Sequence, residues 1–194
     1  TFCIAILNIG SGFLRTNSQK RELKTLFGQY VPPAHVERML ENHHLAGLEG
    51  ESRHMTVLFS DIRGFTTISE GLKATKLKQM LNEFFTPITG IIFEHNGTID
   101  KYVGDMVMAF WNAPLLDANH AEHAIDAALS MLQKVEELKI TFAAKGLPEV
   151  NIGVGINTGF MNVGDMGSVY RRTYTVLGDA VNLGSRLESI TKFY

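Results

Sequence analysis

Cysteine is nearly missing from this sequence: Cys3 stands alone, so no disulfide can close within the chain, and a reducing, cytosolic setting suits it. No Cys/His set has zinc-finger spacing, and His120 and His123 lack the glutamate and spacing of a helical zinc motif, so both are expected at the surface. Charge of one sign is also scarce. A net charge of −2 argues against a broad nucleic-acid footprint, and no nucleic acid is expected as a partner. No apolar run reaches the ~20 residues that cross a bilayer. The nearest is Thr1 to Leu14, uncharged and mostly apolar, with Arg15, Lys20, Arg21 and Lys24 directly after it. That order matches the cytoplasmic exit of a membrane helix, so residues 1–14 are expected to be the tail of a truncated span that anchors a cytoplasmic domain to the membrane. A buried N-terminal helix is the alternative. The chain starts at Thr1 and stops at Phe193 and Tyr194 just after a helical pattern, so both ends are expected to be cuts through a longer protein.

What is present is an ordinary globular composition, 45% hydrophobic and 20% charged over 194 residues, with room for one compact domain and an extension. Leu23, Leu26, Phe27 and Tyr30 make one apolar helical stripe, ended by Val31 and two prolines, and a second short helix runs through Val36, Met39 and Leu40. Residues 15–50 therefore read as a helical element and a linker, the latter from Asn42 to Ser52. A strand from Met55 to Ser60 follows. Helical spacing then runs from a capping stretch at Thr66 to Ser69 through Leu77, Met80, Leu81, Phe84 and Phe85. Pro87 is expected to kink that helix before it stops at Asn96 and Gly97. The stretch Asp100 to Trp111 reads as two short strands turning at Gly104 and Asp105. A further helix is expected to carry Ala121, Ile125, Ala128, Leu129, Leu132 and Leu138. Val150 to Ile156 reads as a strand, Met161 to Val163 as a segment pairing back on it, and Arg172 to Leu177 as another. A last helix carries Val181, Leu183, Leu187 and Ile190.

This order predicts an α+β fold, a ferredoxin-like sandwich with helices on one face of a mainly antiparallel sheet. The first strand should lie beside the second hairpin strand, which brings Asp61 close to Asp105. Two carboxylates held at strand ends suit a pair of hard divalent cations, Mg²⁺ or Mn²⁺. Behind Asp61, the run Arg63, Gly64, Phe65, Thr66 opens a helix whose free N–H groups suit phosphate oxygens. Phe65 is also a core candidate, and Arg63 is either solvated or a ligand. Asn182 and Arg186 are one helical turn apart and face the same way. Asp179 is expected to cap their helix.

Four stretches, Phe59 to Thr66, Asp100 to Asp105, Gly155 to Gly159 and Leu177 to Arg186, together resemble the class III nucleotidyl cyclases. The resemblance spans residues 51–194, most of a catalytic domain, and reaches back to Phe27 through Pro32, where such domains carry a coupling element. It implies an adenylate cyclase that turns ATP into 3′,5′-cyclic AMP and pyrophosphate at a homodimer interface. Asp61 and Asp105, with the Ile62 carbonyl, would hold two Mg²⁺ or Mn²⁺ per site, and Gly64, Phe65 and Thr66 would meet the phosphates. Lys101 would read the purine N1 edge. A cation there favours adenine, whose N1 accepts a hydrogen bond, over guanine, whose N1 donates one. Thr175 would take the second base-reading position, where many adenylate-specific members have aspartate. That departure resembles the bicarbonate-responsive bacterial subgroup, so bicarbonate is an expected activator. Asn182 would orient the ribose, and Arg186 would stabilise charge on the α-phosphate. The rival readings are a guanylate-using cyclase, a catalytically inactive module that keeps the fold for dimerisation, and a diguanylate cyclase or polymerase palm, whose Gly-Gly-Asp/Glu-Glu-Phe turn is missing here.

Overall fold

The computed structural model describes residues 50–193. The readings of residues 1–14 as a membrane tail and of the helical element within 15–50 fall outside the described residues. Among those described, no helix is long and apolar enough to cross a membrane.

The hairpin forms as its residues demand. Strands β2 (Thr98–Val103) and β3 (Met106–Trp111) are joined by Gly104 and Asp105 alone, and Gly104 adopts the positive φ of 64° that so tight a turn needs. Strand β1 (Glu51–Ile62) pairs antiparallel with β3, Thr56 opposite Trp111 and Ser60 opposite Val107, so the first strand does sit beside the second hairpin strand. It starts four residues earlier than its apolar run suggested, within what read as linker. Met55 to Ser60 are all buried, as expected of a central strand covered on both faces.

The segments expected at Val150–Ile156 and Met161–Val163 do not pair back on each other. They belong to one 17-residue strand, β4 (Ile152–Ser168), which pairs with all of β1, Ile152 opposite Ile62 and Val163 opposite Glu51. Glycines along this strand serve clearance: a Cβ at Gly159 would lie 3.0 Å from Ala180 Cβ, and one at Gly155 would lie 2.2 Å from Glu188 N. Beyond β1, the strand continues against β5 (Arg171–Leu177), giving the order β2-β3-β1-β4-β5. The sheet curls until its two edge strands, β2 and β5, meet.

The expected helix after Asp61 is two, α1 (Phe65–Gly71) and α2 (Ala74–Glu94); Gly64, not a side chain of Thr66 to Ser69, occupies the α1 cap. Pro87 lies inside α2, which runs on without a break until Asn96 turns left-handed at φ 62°. Helix α3 (His120–Ala144) packs beside α2. Met80, Phe84 and Ile88 of α2, and Ala124, Met131 and Phe142 of α3, share one core with Leu58, Ile62, Val107 and Trp111 of the sheet. Ile125, Leu129 and Leu132, assigned to this inward face, are exposed; alanines at 124, 127 and 128 are what let α3 come close.

Helix α4 (Asp179–Ile190) departs from the one-sided layout. Ile152, Val154 and Ile156 pack against the α2–α3 core, whereas Gly155 between them meets α4, so α4 covers the opposite face. Its inward residues are Val181, Gly184 and Glu188, and Leu183, Leu187 and Ile190 point outward. Gly178 occupies its cap; Asp179 sits in the first turn, where a carboxylate suits the helix dipole. His120 is not a surface residue either. It is buried, Nδ1 2.7 Å from the Thr56 hydroxyl, and burial followed by the neighbouring His54 pushes its pKa down. His123 pairs with Asp117 at 2.7 Å.

Candidate active site

The carboxylate pair follows directly from the β1–β3 pairing. Asp61 stands at the end of β1 and Asp105 in the adjacent turn, where its Oδ2 accepts the Ile62 N–H at 3.0 Å. Partial burial pushes the Asp105 carboxyl up to about 6, helped by its hydrogen bond to Asp61 and by the Asp61 charge. Two like charges pressed together raise each other's cost of ionisation, and a cation between them removes that cost. Lys192 Nζ lies 3.5 Å from Asp61 Oδ2. Among the described residues no three His, Cys, Asp or Glu side chains gather as a metal centre. Two carboxylates alone still fit Mg²⁺ or Mn²⁺, which take one or two protein carboxylates and complete their shell with substrate phosphate and water. The Ile62 side chain is buried in the core, and its backbone is what remains at the site.

Next to this pair, Gly64 has φ 66°, a conformation glycine adopts without strain, and α1 begins behind it. The first backbone N–H groups of a helix have no intrahelical partner, so Phe65 and Thr66 present donors near the carboxylates. The Phe65 ring packs partly against the core, as its core reading anticipated, and Thr66 is exposed. The Arg63 side chain is half-buried and engaged by protein partners. Its guanidinium pairs with the buried Glu188 at 3.4 Å and bonds Thr191, tying the start of α1 to the end of α4.

A second group forms where the sheet edges meet. Lys101 Nζ lies 3.5 Å from Thr175 Oγ1, so the two residues expected to read the base do come together within one chain. Between them is Asp100, with no exposed side-chain surface. Its Oδ2 accepts the Thr175 hydroxyl at 2.5 Å and the Val176 N–H at 3.3 Å, and its Oδ1 lies 3.0 Å from Lys101 Nζ.

Asn182 and Arg186 stand apart. Both are exposed on α4, beside Leu183 and Leu187, and neither hydrogen-bonds or ion-pairs with the carboxylate pair or the Lys101–Thr175 group. Asn157 secures their helix by donating to the Ala180 carbonyl at 2.8 Å. Sequence reasoning passed over Asp100, Asn157 and Glu188. For Asp100 a signal existed, since it is the one charge in the buried half of β2, Thr98 to Asp100.

The family model of the adenylate and guanylate cyclase catalytic domain matches residues 49–193. Adenylate cyclase 1 of Rhizobium meliloti is 40% identical over 177 residues, covering 91% of this chain and 27% of the relative. An adenylate cyclase of Anabaena cylindrica is 34% identical, covering 92% of this chain and 36% of the relative. The chain thus spans about a quarter to a third of these relatives' length. Among solved structures, the adenylyl cyclase CyaB from P. aeruginosa matches with a TM-score of 0.72 at 40% identity, covering 74% of each chain. The guanylyl cyclase Cya2 matches with a TM-score of 0.71 at 37% identity, covering 75% of this chain and 73% of that one. Overall likeness therefore does not separate adenine from guanine users, and the base-reading residues must. With its profile match, its antiparallel sheet and its paired carboxylates beside a helix start, the chain belongs to the class III adenylate and guanylate cyclase catalytic domain family.

Proposed function

We propose that this domain, residues 51–194, is an adenylate cyclase that forms 3′,5′-cyclic AMP and pyrophosphate from ATP in signal transduction. The observation that carries the choice of ATP is the Lys101–Thr175 group, an ammonium 3.5 Å from a hydroxyl. A lysine offers donors only, which suits adenine N1, an acceptor, and opposes guanine N1–H.

In this reading the ribose 3′-hydroxyl gives up its proton to water as its oxygen bonds to the α-phosphorus, the α–β bridging bond breaks, and pyrophosphate leaves with the electron pair. Asp61, Asp105 and the Ile62 carbonyl would hold two Mg²⁺ or Mn²⁺, which lower the hydroxyl's pKa and neutralise the polyphosphate. Gly64, Phe65 and Thr66 present backbone donors to phosphate oxygens. Asn182 orients the ribose, and Arg186 meets charge developing on the α-phosphate.

The site is shared across a two-fold homodimer. Lys101 lies four residues before Asp105, roughly 13 Å at a strand rise of ~3.3 Å per residue, so one nucleotide does not readily touch both ends of that stretch within a chain. The exposed Asn182 and Arg186, flanked by outward leucines, suit a partner's surface better than solvent. Two equivalent sites then result, each with the carboxylates of one chain and the base-reading set of the other. Bicarbonate activation, resting on Thr175, and membrane anchoring through residues 1–14 with the domain on the cytoplasmic side belong to the same proposal.

The test is product analysis of the domain within its longer chain, with ATP or GTP and Mg²⁺ or Mn²⁺, with and without bicarbonate at constant pH. Cyclic AMP from ATP, in excess over cyclic GMP from GTP, is expected. Tight nucleotide binding without pyrophosphate release would point to an inactive dimerisation module.

A further inference from the structure

We propose that Asp100 sets the base selectivity of this site, by fixing which way the hydrogen bonds of Thr175 and Lys101 run. The inference rests on the adenylate reading and deepens it.

A free threonine hydroxyl carries one hydrogen and two lone pairs, and it rotates to meet either a donor or an acceptor. Such a group discriminates poorly between an amino and an oxo substituent. Thr175 is not free to rotate. Its hydrogen goes to Asp100 Oδ2 at 2.5 Å, and the same oxygen takes the Val176 N–H at 3.3 Å. An ionised carboxylate can only accept, so in both bonds the donor is on β5. Asp100 itself cannot turn away, because its side chain has no exposed surface and its other oxygen lies 3.0 Å from Lys101 Nζ.

Thr175 therefore offers a ligand lone pairs alone, and Lys101 offers N–H groups alone. Side by side, they present an acceptor next to a donor. The complementary ring edge has a donor substituent beside a ring acceptor, which is the 6-amino and N1 edge of adenine. A 6-oxopurine, with O6 accepting and N1–H donating, is opposed at both positions. A site built to hydrogen-bond one edge rejects the reversed edge because its polar groups are then left unpaired. Asp100 touches no nucleotide in this account. It is a positioning residue that acts through the two residues that do.

Inosine triphosphate tests this cleanly, since it reverses the N1 and C6 edge of ATP and changes nothing else on the base that Lys101 or Thr175 would meet. The readout is the ratio of kcat/KM for ATP over inosine triphosphate in the longer chain. Asp100→Asn keeps the shape, but its amide puts a donor where Thr175 or Lys101 had an acceptor, whichever way it turns. The ratio is expected to fall at least about tenfold in that variant, with inosine triphosphate turnover falling less than ATP turnover. A merely structural role lowers both rates together, and a ratio within twofold of wild type in a folded Asp100→Asn protein overturns the proposal. Thr175→Val supplies a second arm should Asp100→Asn not fold, because it keeps the volume and removes only the hydroxyl. Its ratio should fall similarly while Thr175→Ser, still within reach of Asp100, retains selectivity; an unchanged ratio in Thr175→Val overturns the proposal on its own. Wild-type conversion of ATP to cyclic AMP tests the underlying reading, and the variant ratios test the role of Asp100.

Discussion

Asp100 and Asp105 belong to the same hairpin, five residues apart, and they are opposites. Asp100 is buried and surrounded by donors: a hydroxyl, a backbone N–H and an ammonium. Asp105 is half-exposed and faces another carboxylate, and partial burial followed by that neighbour pushes its carboxyl up to about 6. One charge is completed by the protein's own groups, and the other is left for something the protein must bind. A carboxylate's role thus follows from its surroundings and not from its place in a motif, since both lie in the single run Asp100 to Asp105.

The largest expected effect breaks the comparison at its incomplete end. Asp61→Asn or Asp105→Asn should lower divalent-dependent turnover by ~10²–10³-fold, the scale of losing a main electrostatic contact in a transition state, with the fold unchanged by circular dichroism. Near wild-type turnover at saturating Mg²⁺ would remove the metal assignment.

Next in size is recovery by mixing. Asp105→Ala and Arg186→Ala, each nearly inactive alone, should together regain about a quarter of wild-type activity, because random pairing makes half the dimers mixed and each mixed dimer has one intact site. Persistent inactivity, with mixed dimers confirmed by mass, would place the whole site in one chain.

The base end is sharpened by Lys101→Glu, which should shift the ATP:GTP preference toward GTP by about tenfold or more, since an acceptor then faces N1. An unchanged ratio would reduce Lys101 to a strand-surface charge.

The smallest effects concern stability. Asp100→Ala should cost about 2–3 kcal/mol in urea unfolding, because it strands the Thr175 hydroxyl and the Val176 N–H. Asp105→Asn should do the reverse in divalent-free buffer at neutral pH. The folded Asp105 keeps its proton to about 6, against 3.8 for the ordinary carboxyl, so its contribution is full below that lower value and is lost as pH rises through 6. Relative to Asp105→Asn, wild type should lose about 1 kcal/mol between pH 4.5 and 7.5, after allowance for partial solvation. Added Mg²⁺ should erase the difference, and a pH-independent gap would separate Asp105 from Asp61.

The sequence announced much of this because its strongest signals are local. Gly104 and Asp105 mark a turn by backbone chemistry, the apolar run Met55 to Ser60 marks a central strand, and their pairing sets Asp61 beside Asp105. The meeting of Lys101 with Thr175 was legible only through resemblance, since no local pattern encodes the curl that joins β2 to β5. Faces of helices were less legible. Isoleucine and leucine at 125, 129 and 132 read as core, yet alanines carry that face of α3, because close helix packing favours small residues over apolar bulk. The long strand β4 reads as two segments for a related reason, since its glycines supply clearance for α4 and not a reversal of the chain. His120 read as polar surface and Asp100 was passed over, and only tertiary contacts reveal that partners receive them inside.

Those glycines also determine how the domain can move. A Cβ at Gly155 would lie 2.2 Å from Glu188 N, so there β4 and α4 meet backbone to backbone, whereas Gly184 lets the helix settle on the side chains of Val57 and Phe59. Interfaces cushioned by side chains can accommodate a small displacement by changing rotamers, but the Gly155 contact has no such layer. A shift of β4 at Gly155 therefore has to carry α4 with it, and with α4 its arginine and asparagine. Wherever that contact is kept, helix and strand move as one piece.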